Sequence, residues 1–458
     1  MNKSKNSPAM NQPNKLRRRL EALLIIAAIL ILTLTACVPA LTPMPTGTLI
    51  PSAVMPTSTS KEIPVTATLT VAQEPPPCIF PLAQITMAES VPENYTFSEP
   101  KVVLTAPKGN IYHIAQWLPD NQQVLMIEEL RNVVIENNNP LQESIDLFNP
   151  EKGTSKVIAT RALTPGLPSW LPQLNAVAYP AINYTSFDRE NRIAELTRQV
   201  WVSYGNPNTK QKLADNLSQL LLAVKPGGGE TIYLSGKQIS KLDGSLNELP
   251  SVSFDLSQWD YAKSLRNTLL DSYEMAWQPG TSLIFLYSNN YFGGGGYTFI
   301  LNADTGQVCE LNLGGWVATG AHWSSDGRYL AIGMAATSHL ADLALLDTVT
   351  GKLTTLAGAP RGINGQLYVN DLIWAPDNHH LLAIGSVVLS QKNQSASDGH
   401  GLYLVDIGSG QSVYVEYKSI VSSEDNNWAW SPDGSKLVMR CPTQTVDQIC
   451  LISVQKSG

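Results

Sequence analysis

The sequence predicts an all-β chain: a seven-bladed β-propeller of four-stranded antiparallel blades, preceded by a signal peptide and a disordered Pro/Thr-rich stalk. Three observations carry this expectation. The composition is 43% hydrophobic and only 15% charged over 458 residues, with 32 Gly and 30 Pro. That suits many buried strands and many turns, and argues against coiled coils and helical bundles. Seven segments repeat one hairpin plan. The last repeat is short of one strand, while the chain ahead of the first repeat holds a strand to spare.

The repeat is an apolar stretch ending in Trp, a Pro/Asp/Gly turn, then an apolar strand. The copies are Trp117-LPDNQQVLMI, Trp170-LPQLNAVAY, Val224-KPGGGETIYL, Trp277-QPGTSLIFLY, Trp323-SSDGRYLAIG, Trp374-APDNHHLLAIG and Trp430-SPDGSKLVM. Their mean spacing of about 52 residues matches one four-stranded blade. In Ser431-Pro432-Asp433-Gly434 the proline presets φ, the aspartate bonds its own backbone, and the glycine supplies a positive φ. Asn121 and Asn378 take the glycine position in two copies, and Asn tolerates the left-handed region next best. The Trp is placed to pack between neighbouring sheets, which no single blade could hold together alone.

A second turn recurs further along: Leu301-NADTG, Leu346-DTVTG, Val405-DIGSG and a weaker Phe148-NPEKG. Each separates two apolar runs, so every unit has four strands. The final unit, Cys450-LISVQKSG, lacks its fourth strand, and Lys101-VVLTAP can supply it. The ring then closes with both chain ends in one blade, leaving no open sheet edge at the joint. This pattern resembles the TolB-like β-propeller family, whose hallmark is W-S-P-D-G before an apolar strand. The resemblance covers residues 98–458, with copies five and seven close to the pattern and copies two, three and four degenerate. In that family the propeller docks an envelope lipoprotein partner on its face, and that partner does not carry over to this chain. The family's additional N-terminal α/β domain has no counterpart here, where a stalk stands in its place.

The N-terminal segment reads as an address. Residues 1–36 carry +5 within a chain of net charge −7, leaving −12 for the remainder. Lys15-Leu-Arg-Arg-Arg19 precedes the apolar run from Ala22 to Leu34, and Leu34-Thr35-Ala36-Cys37 follows. The last four residues resemble the lipobox of bacterial lipoproteins, which implies cleavage after Ala36 and lipidation of Cys37; an uncleaved membrane anchor is the alternative. Either way the body is expected outside the cytoplasm, held to a bacterial membrane. Residues 38–77 contain 9 Pro and 8 Thr in 40 positions. Such a segment buries no core and extends as polyproline II at ~3.1 Å per residue, enough for a linker over 37–97. Thr/Pro stalks are often O-glycosylated, and a bare spacer is the plainer reading.

Cysteine use fits an oxidising compartment. Cys441 ends one apolar run and Cys450 opens the next, so a hairpin sets them opposite each other for a disulfide. Cys78 and Cys309 are left over, as a second bridge or as thiols. The acidic body offers no footprint for a nucleic-acid backbone. No G-x-S-x-G, H-E-x-x-H or phosphate-loop motif occurs, and no cofactor or metal is called for. His379 and His380 sit in a turn and are read as solvated.

Propellers bind through loops that enter the innermost strand or join the second and third. Residues three and four before the anchors therefore define a candidate ligand face: His113, Tyr273, Glu274, Asn370, Asp371, Asn426 and Asn427, with Trp428 beside them. The matching positions of blades two and three are Gly166, Leu167, Leu220 and Leu221, so polarity gathers on blades four, six, seven and one. Solvation of a channel mouth explains these residues as well as ligand contact does. Residues 250–272 and 184–197 form long insertions on that face, each with a helical pattern. The function expected is a monomeric, surface-tethered, non-catalytic module recognising an envelope protein or a glycan. The alternatives are a hydrolase or lyase using Glu274 and Asp371, or an accessory subunit of an envelope complex.

Overall fold

Seven antiparallel sheets follow one another along the chain, and no α-helix occurs among the described residues. The structure is a computed structural model. It describes residues 94–130, 142–162, 166–188, 193–217, 219–256, 273–288, 298–314, 316–336, 339–356, 365–389, 395–415, 428–441 and 446–457. The N-terminal address, most of the stalk and Cys37 lie outside these residues.

Six sheets are four-stranded meanders in sequence order, and the seventh is the closing blade. The first strands are Ile111–Trp117, Ser169–Leu171, Leu221–Val224, Tyr273–Trp277, Val317–Trp323, Gly365–Trp374 and Trp428–Trp430. Each reaches its anchor residue, and the first strands of blades 7, 1, 2, 3, 4, 5 and 6 lie successively against one another in that order. Second strands are buried on both sides, as in Leu283–Ser288, so they read as continuous apolar runs rather than alternating ones.

The core is divided by seams. Seven apolar clusters are present, one at each junction between neighbouring blades. Between blades 1 and 2, for example, Leu125, Ile145 and Ile158 meet Val177 and Tyr179. Burying a side chain of this size contributes about 1.5–3 kcal/mol, so a blade is stabilised chiefly by its neighbours.

The repeated turns share one geometry. In blades 5 and 7, Ser324 Oγ donates to Asp326 at 2.6 Å and Ser431 Oγ to Asp433 at 2.7 Å. The same hydroxyls accept the N–H of Tyr329 and of Lys436, both at 2.9 Å. Asn121 and Asn378 both have φ of 56°, the left-handed conformation expected of them. They also reach into the preceding blade: Asn378 Oδ1 accepts Ser325 N–H at 2.7 Å, and Asn121 Oδ1 accepts Asp433 N–H at 3.1 Å. The downstream turns are equally uniform. Gly153, Gly306, Gly351 and Gly410 all take positive φ, so the weak Phe148 copy folds as the others do.

Ring closure follows the expected arithmetic. Lys101–Thr105 pairs antiparallel with the chain's last strand, Gln448–Ser457. Asn94–Phe97, read from sequence as the end of the linker, continues the same edge by pairing with Val454–Ser457. It does so because Tyr95 and Phe97 both pack on the Trp430 ring, at 5.4 and 6.0 Å between centroids. Cys441 and Cys450 are joined by a disulfide with Cα atoms 5.8 Å apart. Cys309 is also disulfide-bonded; Cys78 lies outside the described residues.

Two local expectations are corrected. The described parts of 184–197 are strand rather than helix: Ala176–Asp188 pairs antiparallel with Ile193–Ser203. Ile182, Tyr184, Thr185 and Phe187 give that stretch the β-branched and aromatic content that strands favour. His380 is not solvated but 8% exposed, with Nδ1 2.6 Å from Asp377 and Nε2 3.8 Å from Asp406. Of the other insertion, residues 257–272 lie outside the described residues.

Candidate ligand face

Each first strand begins at the end of its blade opposite the Trp turn. The connections between second and third strands lie at that same end, which makes it the face to examine. His113, Glu274, Asn370 and Asp371 all stand there, on the first strands of blades 1, 4 and 6. Asn426 and Asn427 lie outside the described residues. Tyr273 and Trp428 are both 5% exposed and belong to the apolar clusters of seams 3–4 and 6–7. These two rings shape the seams beneath the face rather than its open surface.

Glu274 is held by a residue that sequence reasoning missed. Tyr287, directly opposite it on the second strand of blade 4, donates its hydroxyl to Glu274 Oε2 at 2.6 Å. The Ala321 backbone of blade 5 and the Asp371 carboxylate of blade 6 also act on this hydroxyl. Burial, first, and the Glu274 carboxylate hold the Tyr287 phenol well above its usual pKa. Three inner strands thus converge on one neutral hydroxyl. Its bond to an ionised carboxylate belongs to the stronger class, about 1.5–3 kcal/mol.

Blades 5 and 6 add a backbone device. The ladder register shifts at Thr319 in blade 5 and at Asn370 in blade 6, each four residues before the anchor Trp. Such bulges re-aim side chains, and Asn370 is exposed at its bulge. The glycine ending each LAIG run faces this irregularity. A Cβ on Gly385 would stand 2.0 Å from the Tyr368 carbonyl oxygen, and one on Gly333 would stand 2.9 Å from Thr319 Oγ1. Those glycines were visible in the repeat, but their reason lies in the neighbouring strand.

Blade 1 carries a different arrangement. Glu129, Glu143 and Arg161 stand in register across its second, third and fourth strands. Arg161 Nε donates to Glu143 Oε2 at 2.8 Å, and its other nitrogens donate to the carbonyls of Pro180 and Gly166 in blade 2 at 2.6 and 2.9 Å. Burial pushes the Glu143 carboxyl up, against the pull of the Arg161 guanidinium. His113 Nε2 lies 3.6 Å from Glu129 Oε2. The available signal was charge inside buried strands, since such residues must be partnered. Among the described residues, no group of three or more His, Cys, Asp or Glu side chains is placed to hold a metal ion.

The chain is thus a seven-bladed β-propeller whose inner strands gather polar groups at one end. No family model matches the sequence, and no curated protein does. Solved structures resemble it in fold. An oligogalacturonate lyase in complex with manganese aligns at 10% identity and a TM-score of 0.49, covering 81% of this chain and 99% of that one. The oligogalacturonate lyase of Vibrio parahaemolyticus aligns at 9% identity and TM-score 0.46, covering 79% and 97%. The β-propeller domain of the Trilobed protease from Pyrococcus furiosus also gives 9% and 0.46, covering 76% and 97%. At such identities the likeness is one of fold alone.

Proposed function

We propose that this chain is a membrane-tethered, non-catalytic binding module that recognises an envelope protein or glycan on the loop face of blades 4, 6, 7 and 1. The Glu274–Tyr287 pair is the observation that carries the reading. Tyr287 donates to Glu274 from the adjacent strand of the same blade, which fixes that carboxylate on a rigid strand pair. Fixed donors and acceptors on rigid strands suit recognition of a preset shape. The lipobox-like Leu34-Thr35-Ala36-Cys37 and the stalk support a tether: Cys37 carries the lipid, and the Pro/Thr-rich segment spaces the propeller from the surface.

Crosslinking in intact cells, followed by capture of the full chain, tests the face. A species captured by the wild type should fall at least about tenfold with Glu274→Gln plus Asp371→Asn, a loss of about 1.4 kcal/mol or more. Undiminished capture would remove the face from the reading. Turnover of a glycan that depends on both carboxylates would replace it with an enzyme. For the tether, Cys37→Ser should release the chain from the membrane fraction.

A further inference from the structure

The seam between blades 7 and 1, where the ring closes, has a polar end. Arg440 Nε lies 2.7 and 2.8 Å from the two carboxylate oxygens of Asp447, on the hairpin closed by the Cys441–Cys450 disulfide. Asp447 also receives blade 1: its Oδ2 accepts Tyr112 N–H at 2.7 Å, and its backbone oxygen accepts Ala106 N–H at 2.9 Å. The Tyr112 hydroxyl, on the first strand of blade 1, feels three carboxylates, those of Glu128, Asp146 and Asp447. Glu128, on the second strand, accepts Asn110 Nδ2 at 2.7 Å.

Asp146, on the third strand, is the anomalous member. It is 3% exposed, and its Oδ2 accepts the Ser155 hydroxyl of the fourth strand at 3.2 Å. Its Oδ1 has no hydrogen-bond partner among the described residues. Among the described residues, Arg440 pairs with Asp447 at this end. The next ion pair across the seam, Lys436 with Glu151, joins the second strand of blade 7 to the turn between the third and fourth strands of blade 1. A buried carboxylate with one oxygen unmatched has reason to keep its proton.

We propose that the closing seam is an acid-tightened latch: protonated Asp146 lets the joint close firmly, and its ionisation sets its charge against Glu128 beside Tyr112. Burial, above all, and then Glu128 raise the Asp146 carboxyl to about 6, against the pull of nearby serine hydroxyls. The folded value exceeds the ordinary 3.8, so this contribution is complete below that ordinary value and is lost as pH rises through about 6. The full span corresponds to about a 100-fold change in the opening equilibrium. The latch acts on the ring itself and is independent of what the face binds.

His322 titrates with the opposite sign, since burial lowers it to about 4 and its charging weakens the fold as pH falls. The experiment therefore compares variants. Hydrogen exchange at the Tyr112 and Ala106 amides of the full chain, corrected for intrinsic rates, is followed from about pH 4.5 to about pH 7.5. The wild type should open more readily with rising pH, by about 25-fold over this range, while Asp146→Asn should lack that step. An equal step in both proteins, or none in the wild type, overturns the latch. Carbon-13 titration of the Asp146 carboxyl in the wild type decides the matter without any variant. A midpoint near 6 supports it, and one near the ordinary 3.8 refutes it.

Discussion

The seam between blades 5 and 6 and the seam between blades 3 and 4 meet the same need with different chemistry. At the first, Trp374 Nε1 donates to the His322 carbonyl at 2.7 Å, its ring stacks on Tyr329, and Asn378 staples the two turns. At the second, the preceding anchor is Val224 and Trp277 turns inward, donating to its own hairpin at Thr281 O, 3.0 Å away. The vacated role passes to charge. Lys225 Nζ stands 5.6 Å from the centre of the Trp277 ring and 3.5 Å from Glu230, which Lys241 also meets at 3.2 Å. Lys241 continues to Asp304 of blade 4, and Asp304 to Ser282. A seam needs buried area and a polar closure, and the closure is the part that can be exchanged.

The largest way to break the comparison is Trp374→Ala, expected to cost about 3–5 kcal/mol in urea unfolding. Trp374→Phe, which keeps most of the area, should cost about 1 kcal/mol from the lost donor, in addition to any repacking. A loss below about 1 kcal/mol for the alanine variant would mean the tryptophan does not hold its seam. Next is Lys241→Met, expected to cost about 1 kcal/mol, less in high salt. Burial works against the Lys241 charge, but bonds from Asp304 and Glu230 outweigh it and raise its pKa above the ordinary 10.5. The ionic contribution is therefore complete below that value and is lost as pH rises through the elevated one, which an alkaline melting series of both proteins would show. The smallest is Asn378→Gly. Glycine keeps the left-handed backbone, so the expected cost of about 0.5–1 kcal/mol isolates the staple to Ser325.

These seams also show what the sequence could convey. Trp323, Trp374, Asp326-Gly327 and the D-x-x-T-G turns act within hairpins, where spacing is short and each turn residue has one conformational reason. They made the blade count and the closing strand legible. The inward hydrogen bond of Trp277 was not legible, because it depends on Val224 one blade earlier. Tyr287 and Arg161 were missed for the same reason: each answers to a strand or blade that the local pattern does not contain. In 184–197, polar residues at helical spacing hid a run of strand formers whose pairing is the true determinant. On the face, Glu274 and Asp371 could be placed by register, but the hydroxyl that holds Glu274 could not.

Thr96 and Gln455 are hydrogen-bonded although 359 positions separate them in sequence. Synthesis delivers the closing segment first and its partner last. Blades 1 to 6 can each assemble from contiguous chain as it is made, whereas Tyr95 and Phe97 must wait for the whole of the rest. A polypeptide lacking Gln448–Ser457 would leave Asn94–Phe97 and Lys101–Thr105 without their pairing strand.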